Sequence, residues 1–264
     1  MHFRLSRLVF ILALLTVVGL ATPFLLADDL VGDFSTSSNP NGHWSYGTTP
    51  SLGGAFTLYG AVGSGGCGGA LNGWQQGPNP PYVLANKSGG TATCGGSVSV
   101  PNNFLDLHPS STGEDSVVRW TSPSTGSIVI NGLFQGLDFI GPTTTDVHVL
   151  MDGTAIFNAN INSYGVAVPF SLVETVSAGD TIDFVVGFGT DGNYLFDSTG
   201  LQGTINLSTV PEPGTLALLG SGFVGMMAMI RRRVGVASRQ VSERPANGRS
   251  VAARDLETRA EEIS

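Results

Sequence analysis

Apolar residues alternate with polar ones in several short runs, and this pattern constrains the fold more than any other feature of the chain. The alternation is clear over 127–134 (SIVINGLF), 146–151 (DVHVLM) and 181–188 (TIDFVVGF). A period of two places successive side chains on opposite faces of a β-strand. Asp152-Gly153 separates two such runs and is typical of a tight hairpin. We therefore predict an all-β fold, an antiparallel β-sandwich that is jelly-roll-like.

Acidic residues are concentrated in the middle of the chain, whose formal net charge is −8. Between residues 28 and 210 the Lys and Arg side chains are Lys87 and Arg119 alone, against 14 Asp and Glu. A nucleic-acid-binding surface needs several Lys or Arg side chains to neutralise phosphates. The middle region is therefore not expected to bind nucleic acid.

The first 27 residues are predicted to be a signal peptide. Arg4 and Arg7 precede an uncharged apolar run over 8–21, and we place the cleavage site after Ala27. The Sec machinery is the expected exporter, so the middle of the chain would cross the inner membrane. The alternative is an uncleaved membrane anchor, although the apolar run is shorter than the ~20 residues of a spanning helix.

Export places Cys67 and Cys94, the two cysteines of the chain, in an oxidising compartment. Two thiols in such a compartment most often form one disulfide, which is our prediction. A zinc site is the alternative, but it needs four ligands at short spacings, and neither cysteine has a second Cys or a His close by.

A break in the strand pattern occurs at Pro211-Glu212-Pro213, because prolines cannot join a β-ladder. An uncharged apolar run follows and is closed by Arg231, Arg232 and Arg233. We predict a transmembrane helix over 214–230, with the three arginines on the cytoplasmic side. A buried core helix is the alternative, but the run lacks a polar face. Residues 234–264 are predicted to be a polar tail that is cytoplasmic or disordered.

Residues 210–233 resemble the PEP-CTERM sorting signal: Pro-Glu-Pro, one short apolar helix and an arginine cluster. The resemblance implies that exosortase, a membrane-embedded transpeptidase, recognises Pro211, Glu212 and Pro213 and cleaves near them. It also implies anchoring at the inner membrane of a Gram-negative, exopolysaccharide-producing bacterium, and release to the cell surface or extracellular matrix after processing. Chains of this family usually end soon after the arginines, whereas residues 234–264 follow them here.

The exported part divides into residues 28–100, predicted as Gly/Ser/Asn-rich loops and edge strands, and a sandwich core over 101–209. From residue 104 to 208 the chain looks like the jelly-roll modules that accompany carbohydrate-active enzymes. The segments that carry this resemblance are LHP, GEDSVVRW, TDVHV, GDTIDF and DSTGL, which begin at residues 107, 113, 145, 179 and 197. The resemblance implies a noncatalytic sandwich akin to carbohydrate-binding modules and identifies no ligand.

Two sets of residues are candidates for ligand contacts. Trp44, Tyr46 and Trp74 lie in Gly/Asn-rich sequence, where their rings could stack on a sugar; packing over the sandwich edge is the alternative. A structural calcium ion could be held by the oxygen-bearing side chains of Asp191, Asn193 and Asp197. The alternative is that these side chains cap their own turns. No other cofactor is expected.

Catalysis is not expected, because no G-x-S-x-G or comparable nucleophile signature accompanies His43, His108 or His148. His148 alternates with Val147 and Val149 and is predicted to face solvent. The sequence therefore favours an exported, envelope-anchored β-sandwich that exosortase sorts and that acts as a structural or binding component of the extracellular matrix. The alternatives are a carbohydrate-binding module that recognises an exopolysaccharide, and a secreted hydrolase.

Overall fold

A computed structural model describes residues 24–64, 67, 69–78, 80–141, 143–209 and 219–232. Residues 23–210 form one compact unit, and residues 1–22 and 211–264 form another, in which only the helix over 219–232 is described. The strands of the first unit are, in chain order, β1 (Phe24–Asp29), β2 (Trp44–Thr49), β3 (Thr57–Leu58), β4 (Ala61–Gly63), β5 (Asn72–Gln75), β6 (Tyr82–Asn86), β7 (Ala92–Cys94), β8 (Val98–Val100), β9 (Phe104–His108), β10 (Asp115–Thr121), β11 (Gly126–Gly136), β12 (Asp146–Met151), β13 (Thr154–Asn160), β14 (Ala167–Val176), β15 (Thr181–Gly187) and β16 (Thr199–Thr209).

Strands β9 to β16 have the strand order of a jelly roll. In one sheet the neighbours run β9-β16-β11-β14, and in the other β10-β15-β12-β13. The chain crosses between the two sheets at every connection except the β12–β13 hairpin, and all pairs are antiparallel. Asp152 and Gly153 form the tight turn of that hairpin, both with positive φ (49° and 78°). The predicted antiparallel, jelly-roll-like sandwich is confirmed by this strand order.

The residues before β9 extend both sheets. One sheet has eight strands because β6, β5 and β4 continue it beyond β9 and β1 pairs with the end of β16; the other has six because β2 and β3 follow β10. Strands β3 and β4 lie at sheet edges, but β2 and β6 lie inside the sheets and are buried along their whole length. This differs from the expected loops and edge strands over 28–100, because β10 and β9 offer free edges on which the earlier strands pair.

The two sheets face each other across one apolar core. Ile128, Ile130 and Phe134 of the eight-stranded sheet are fully buried, as the alternation predicts, and they share the core with Trp120 and Phe184 of the six-stranded sheet. Complete burial of such side chains stabilises the fold by about 1.5–3 kcal/mol each before conformational entropy is counted. The sandwich is therefore held by its inward-facing residues.

A second apolar cluster lies beside the β7–β8 hairpin, which forms a separate two-stranded sheet. The Sγ atoms of Cys67 and Cys94 are bonded within this cluster, next to Leu71, Leu84 and Val100. The disulfide therefore joins the segment before β5 to β7.

The described residues 219–232 are helical and include Arg231 and Arg232. Pro211, Glu212, Pro213, Arg233, the tail over 234–264 and the predicted signal peptide up to residue 23 lie outside the described residues. Among the described helices, none combines the length and apolar character that crossing a membrane requires. The predicted transmembrane helix is thus not seen in this part of the chain.

Candidate functional site

The three aromatic residues predicted to stack on sugars are buried in the sandwich. Trp44 and Tyr46 face the core from β2, where Trp44 pairs with Trp120 and the Tyr46 ring centroid lies 4.6 Å from that of Phe34. Trp74 on β5 is also buried, and its Nε1–H donates to Ser35 O at 2.9 Å. The prediction of glycan stacking at Trp44, Tyr46 and Trp74 is therefore wrong, because no ring face is open to a ligand.

A different set of apolar side chains, three of them aromatic, is exposed at one end of the sandwich. The β11–β12, β13–β14 and β15–β16 loops meet there and present Phe139, Ile140, Tyr164 and Phe196, which are 45%, 67%, 47% and 42% exposed. The Phe139 and Tyr164 rings lie edge to face at a centroid distance of 6.0 Å. Phe196 lies against Gly141, where an added Cβ would be 2.4 Å from its ring. We call these four residues the aromatic patch.

Buried carboxylates hold two of the three loops that carry the aromatic patch. Asp138, next to Phe139, accepts the Ser97 hydroxyl at 2.8 Å and the Ser198 N–H at 3.1 Å. Asp197, next to Phe196, accepts the N–H and the hydroxyl of Thr144, each at 3.2 Å. Both aspartates are fully buried, so the exposed rings are mounted on a rigid, hydrogen-bonded base.

Burial changes the acidity of these carboxyl groups. It raises the pKa of Asp138, although the bonds from Ser97 and Ser198 act in the opposite direction. Burial also raises the pKa of Asp197 to about 7, although the hydrogen bonds from Thr144 lower it in part. The pKa of Asp106, at the same end of the sandwich, is raised well above its usual range. Burial is the larger cause and the charge of Asp138 the smaller one. Buried acidic groups with shifted pKa values cluster at functional sites more often than elsewhere.

The predicted calcium ligands accept hydrogen bonds from their own loop and from Thr144 of the β11–β12 loop. Asp191 Oδ2 accepts the Thr144 hydroxyl at 2.8 Å and Asn193 Nδ2 at 2.6 Å, and Asn193 Oδ1 accepts the Leu195 N–H at 2.9 Å. No group of three or more His, Cys, Asp or Glu side chains in the described part of the chain is arranged to hold a metal ion. Asp191, Asn193 and Asp197 thus accept hydrogen bonds from loop donors, and calcium binding by these three residues stays a prediction.

A second polar cluster lies on the outer face of the six-stranded sheet. His148 Nε2 is 2.9 Å from Asp146 Oδ2 and His148 Nδ1 is 2.6 Å from Asn158 Oδ1, so both ring nitrogens face oxygen atoms. Burial lowers the pKa of His148, but the bonds to Asp146 and Asn158 outweigh it and the net pKa is raised. His148 is buried rather than solvent-facing as predicted, because its β13 neighbour Asn158 covers it from the side.

Gly187 lies between two carboxylates of this cluster. Asp146 on β12 pairs with Gly187, and an added Cβ there would be 2.4 Å from Asp146 Oδ1 and 2.9 Å from Asp115 Oδ1. Burial, and then the nearby Asp146, raise the pKa of Asp115 to about 7. The hydrogen bond from His148 lowers the pKa of Asp146. The cluster therefore carries one paired imidazole and one carboxyl group that readily accepts a proton.

Lys87 and Arg119, the one Lys and the one Arg between residues 28 and 210, both have structural partners. Arg119 Nε and Nη2 donate to the two oxygens of Asp183 at 2.7 and 2.8 Å, beneath the Phe56 ring. Lys87 Nζ donates to the carbonyl groups of Gly32 and Phe34 at 2.9 and 3.3 Å. Among residues 24–209, the one Lys and the one Arg side chain are therefore both held in contacts within the sandwich.

An open cavity of about 530 Å³ lies at the part of β16 between the residues that pair with β9 and those that pair with β1. Its lining includes the side chains of Asn131, Gln202 and Thr204, together with the turn after β1 and Asn103. With Asp29 also in the lining, it offers carboxylate, amide and hydroxyl groups but no aromatic ring, so it can hydrogen-bond a ligand without stacking on it.

The fold, together with the loops that carry the aromatic patch, defines the class of the protein. It is an acidic jelly-roll sandwich that presents an aromatic patch and is followed by a C-terminal signal. A family model described as the PEP-CTERM protein-sorting motif matches residues 209–233. The match begins at the last residue of β16 and includes the predicted Pro211, Glu212 and Pro213. The chain thus carries a PEP-CTERM sorting motif, which implies export and processing by exosortase.

No curated protein matches the chain. Similar solved structures include CBM51 from Clostridium perfringens GH95 in complex with methyl-galactose, at 11% identity over 68% of this chain and 99% of that chain, with a TM-score of 0.36. A family 35 carbohydrate-binding module from Clostridium thermocellum has 11% identity over 53% and 87% of the two chains and a TM-score of 0.26. Pika GITRL has 20% identity over 35% and 75%, with a TM-score of 0.24. Likeness at these TM-scores carries no argument about a ligand.

The sequence did not single out the aromatic patch. Phe139 and Ile140 follow the end of β11 and precede Gly141-Pro142, so an apolar pair placed just before a turn was the available signal. Tyr164 and Phe196 come from two other loops, and only the folded sandwich brings the three loops together.

Proposed function

We propose that this protein is an exported matrix component that exosortase processes at Pro211-Glu212-Pro213 and that binds a glycan through the aromatic patch. The sorting part is supported by the motif match over 209–233. The sorting motif directly follows β16, the last strand of the sandwich. Processing at the motif would therefore release the whole sandwich together with the aromatic patch.

The observation that carries the binding proposal is the exposure of Phe139, Tyr164 and Phe196 at one end of the sandwich, with buried, hydrogen-bonded aspartates next to Phe139 and Phe196. Aromatic faces bind the apolar faces of sugar rings, and exposed contiguous apolar patches mark interaction sites. A rigid base keeps the entropy cost of binding low. A matrix protein that must hold polysaccharide chains needs such a preformed surface.

Charge selects the kind of glycan. Asp191 is exposed on the loop that also carries Phe196, and Lys87 and Arg119 are both engaged elsewhere. An acidic site repels anionic polymers such as uronates. The preferred ligand is therefore a neutral polysaccharide or one that carries amino sugars.

Affinity electrophoresis of the folded protein in gels that contain a neutral glucan, a glucosamine polymer or alginate tests this proposal. We expect retardation by one of the first two and none by alginate. Phe139→Ala and Tyr164→Ala should each weaken binding about 5-fold or more, since a ring stacked on a ligand contributes roughly 1–3 kcal/mol. Val173→Ala on β14, a large exposed apolar side chain away from the patch, is the matched control. Binding that survives both aromatic substitutions would exclude the aromatic patch as the site, and retardation by alginate alone would contradict the proposed preference for neutral or amino-sugar polymers.

A further inference from the structure

Strand β1 is an integral part of the sandwich. Its six residues pair with Thr204–Thr209 of β16 in an unbroken antiparallel register. Leu26 packs against the main core opposite the buried Leu207, whereas Leu25 is 65% exposed. The alternation of these two leucines is that of a strand with one buried face.

Cleavage after Ala27 would remove most of this strand. Residues 24–27 pair with Asn206–Thr209, and β9 pairs only with Thr199–Leu201, farther along the same edge. The end of β16 would then be an unpaired sheet edge that has lost the apolar cover of Leu26. An exposed edge strand is a template for aggregation.

The sequence before β1 offers another cleavage site. Leader peptidases require small residues at the first and third positions before the cut. Gly19 and Ala21 satisfy this requirement at the end of the apolar run, whereas Ala27 is preceded at the third position by Leu25. The compact unit that contains the sandwich also begins at Pro23, two residues after Ala21.

We infer that the leader is removed after Ala21 and that the mature protein begins at Thr22 with β1 intact. A leader peptidase hydrolyses the Ala21–Thr22 amide bond with one water molecule, which leaves a carboxylate on Ala21 and an ammonium group on Thr22. The mature chain then contains all of β1 (Phe24–Asp29).

The test is expression of the full chain in a Gram-negative host, followed by mass spectrometry of the N-terminal peptide of the exported protein. A start at Thr22 supports the inference; a start at Asp28 or at any other residue, or an unprocessed N-terminus, overturns it. Ala21→Arg should abolish the Thr22 start. Ala27→Arg, at an exposed position of β1, should leave it unchanged. Loss of processing in Ala27→Arg would overturn the inference.

A second measurement asks whether β1 is present in the folded mature protein. Leu26→Asp should lower the unfolding temperature of the exported protein by roughly 5 °C or more, because it places a charge against the core. Leu25→Asp changes an exposed position of the same strand and should lower it by less than about 2 °C. Equal unfolding temperatures for the two variants would overturn the inference.

Discussion

Trp120 and Asp28 join the two sheets of the sandwich: the indole Nε1–H of Trp120 on β10 donates to Asp28 Oδ2 on β1 at 2.8 Å. His43 Nδ1 lies 3.1 Å from the same oxygen. Trp120 is fully buried and Asp28 nearly so, so neither group can exchange this bond for one to water.

We expect Asp28→Ala to destabilise the fold by about 1–3 kcal/mol, because it leaves the buried indole N–H without an acceptor. Asp28→Asn keeps an oxygen that can accept this bond and should cost less. Urea unfolding of both variants measures the difference. Equal losses in the two variants would mean that the hydrogen bond to Trp120 is not the source of the stability.

Removal of the disulfide should destabilise the second apolar cluster. Cys67 and Cys94 are separated by 27 residues, and a crosslink over such a loop contributes roughly 3 kcal/mol by restricting the unfolded chain. The double variant Cys67→Ser, Cys94→Ser should therefore unfold at lower urea concentration than the wild type. Dithiothreitol should destabilise the wild type and leave the variant unchanged. Insensitivity of the wild type to the reductant would argue against this role.

Stability should depend on pH through Asp197. Its pKa rises from 3.8 to about 7 in the folded protein, so the folded state binds the proton more tightly than the unfolded state. This contribution is complete below about pH 4 and is lost as the pH rises to about 7. The nearby carboxylates of Asp191 and Asp138 contribute to the shift in the same direction.

Asp197→Asn has no proton to lose and keeps an oxygen for Thr144. Its free energy of unfolding relative to the wild type should therefore increase by roughly 2–4 kcal/mol between pH 4 and pH 7. Asp115 is present in both proteins, so its own titration cancels in the comparison. Urea unfolding at a series of pH values measures this difference; parallel curves would contradict the assignment.

Processing should depend on the two prolines of the sorting motif. We expect Pro211→Ala combined with Pro213→Ala to block the exosortase-dependent change in size while export continues. Pro123→Ala, at an exposed turn between β10 and β11, is the control and should be processed normally. Immunoblots of the double variant in an exosortase-competent host test this, and an unchanged mature size would count against recognition of these prolines.

Local pattern predicted much of the sandwich after residue 101. The inward positions of Ile128, Ile130 and Phe134, and the Asp152-Gly153 hairpin, agree with the alternation and the turn chemistry. These features are readable because the face of a strand and the type of a tight turn are determined by residues close together in the chain.

Burial on the outer faces and in the early strands could not be predicted from the local sequence pattern. Trp44 and Tyr46 have the surroundings of a loop, yet β2 pairs with β10 and turns both rings inward. The outer face that carries His148 includes the buried side chains of Val117, Leu150 and Val185, against which Phe56 packs. Whether such a face is covered depends on a segment from elsewhere in the chain, and periodicity carries no information about it.

The sequence by itself determined that this chain forms an acidic, antiparallel β-sandwich and carries a C-terminal sorting motif, because strand periodicity, net charge and a contiguous motif are local properties. Only the tertiary structure decided that Trp44, Tyr46 and Trp74 are core residues, that Asp191 and Asp197 accept hydrogen bonds from Thr144 of another loop, and that Phe139, Tyr164 and Phe196 share one exposed surface. The physical reason is that burial and proximity depend on which distant strands pair and which loops meet at an end of the sandwich.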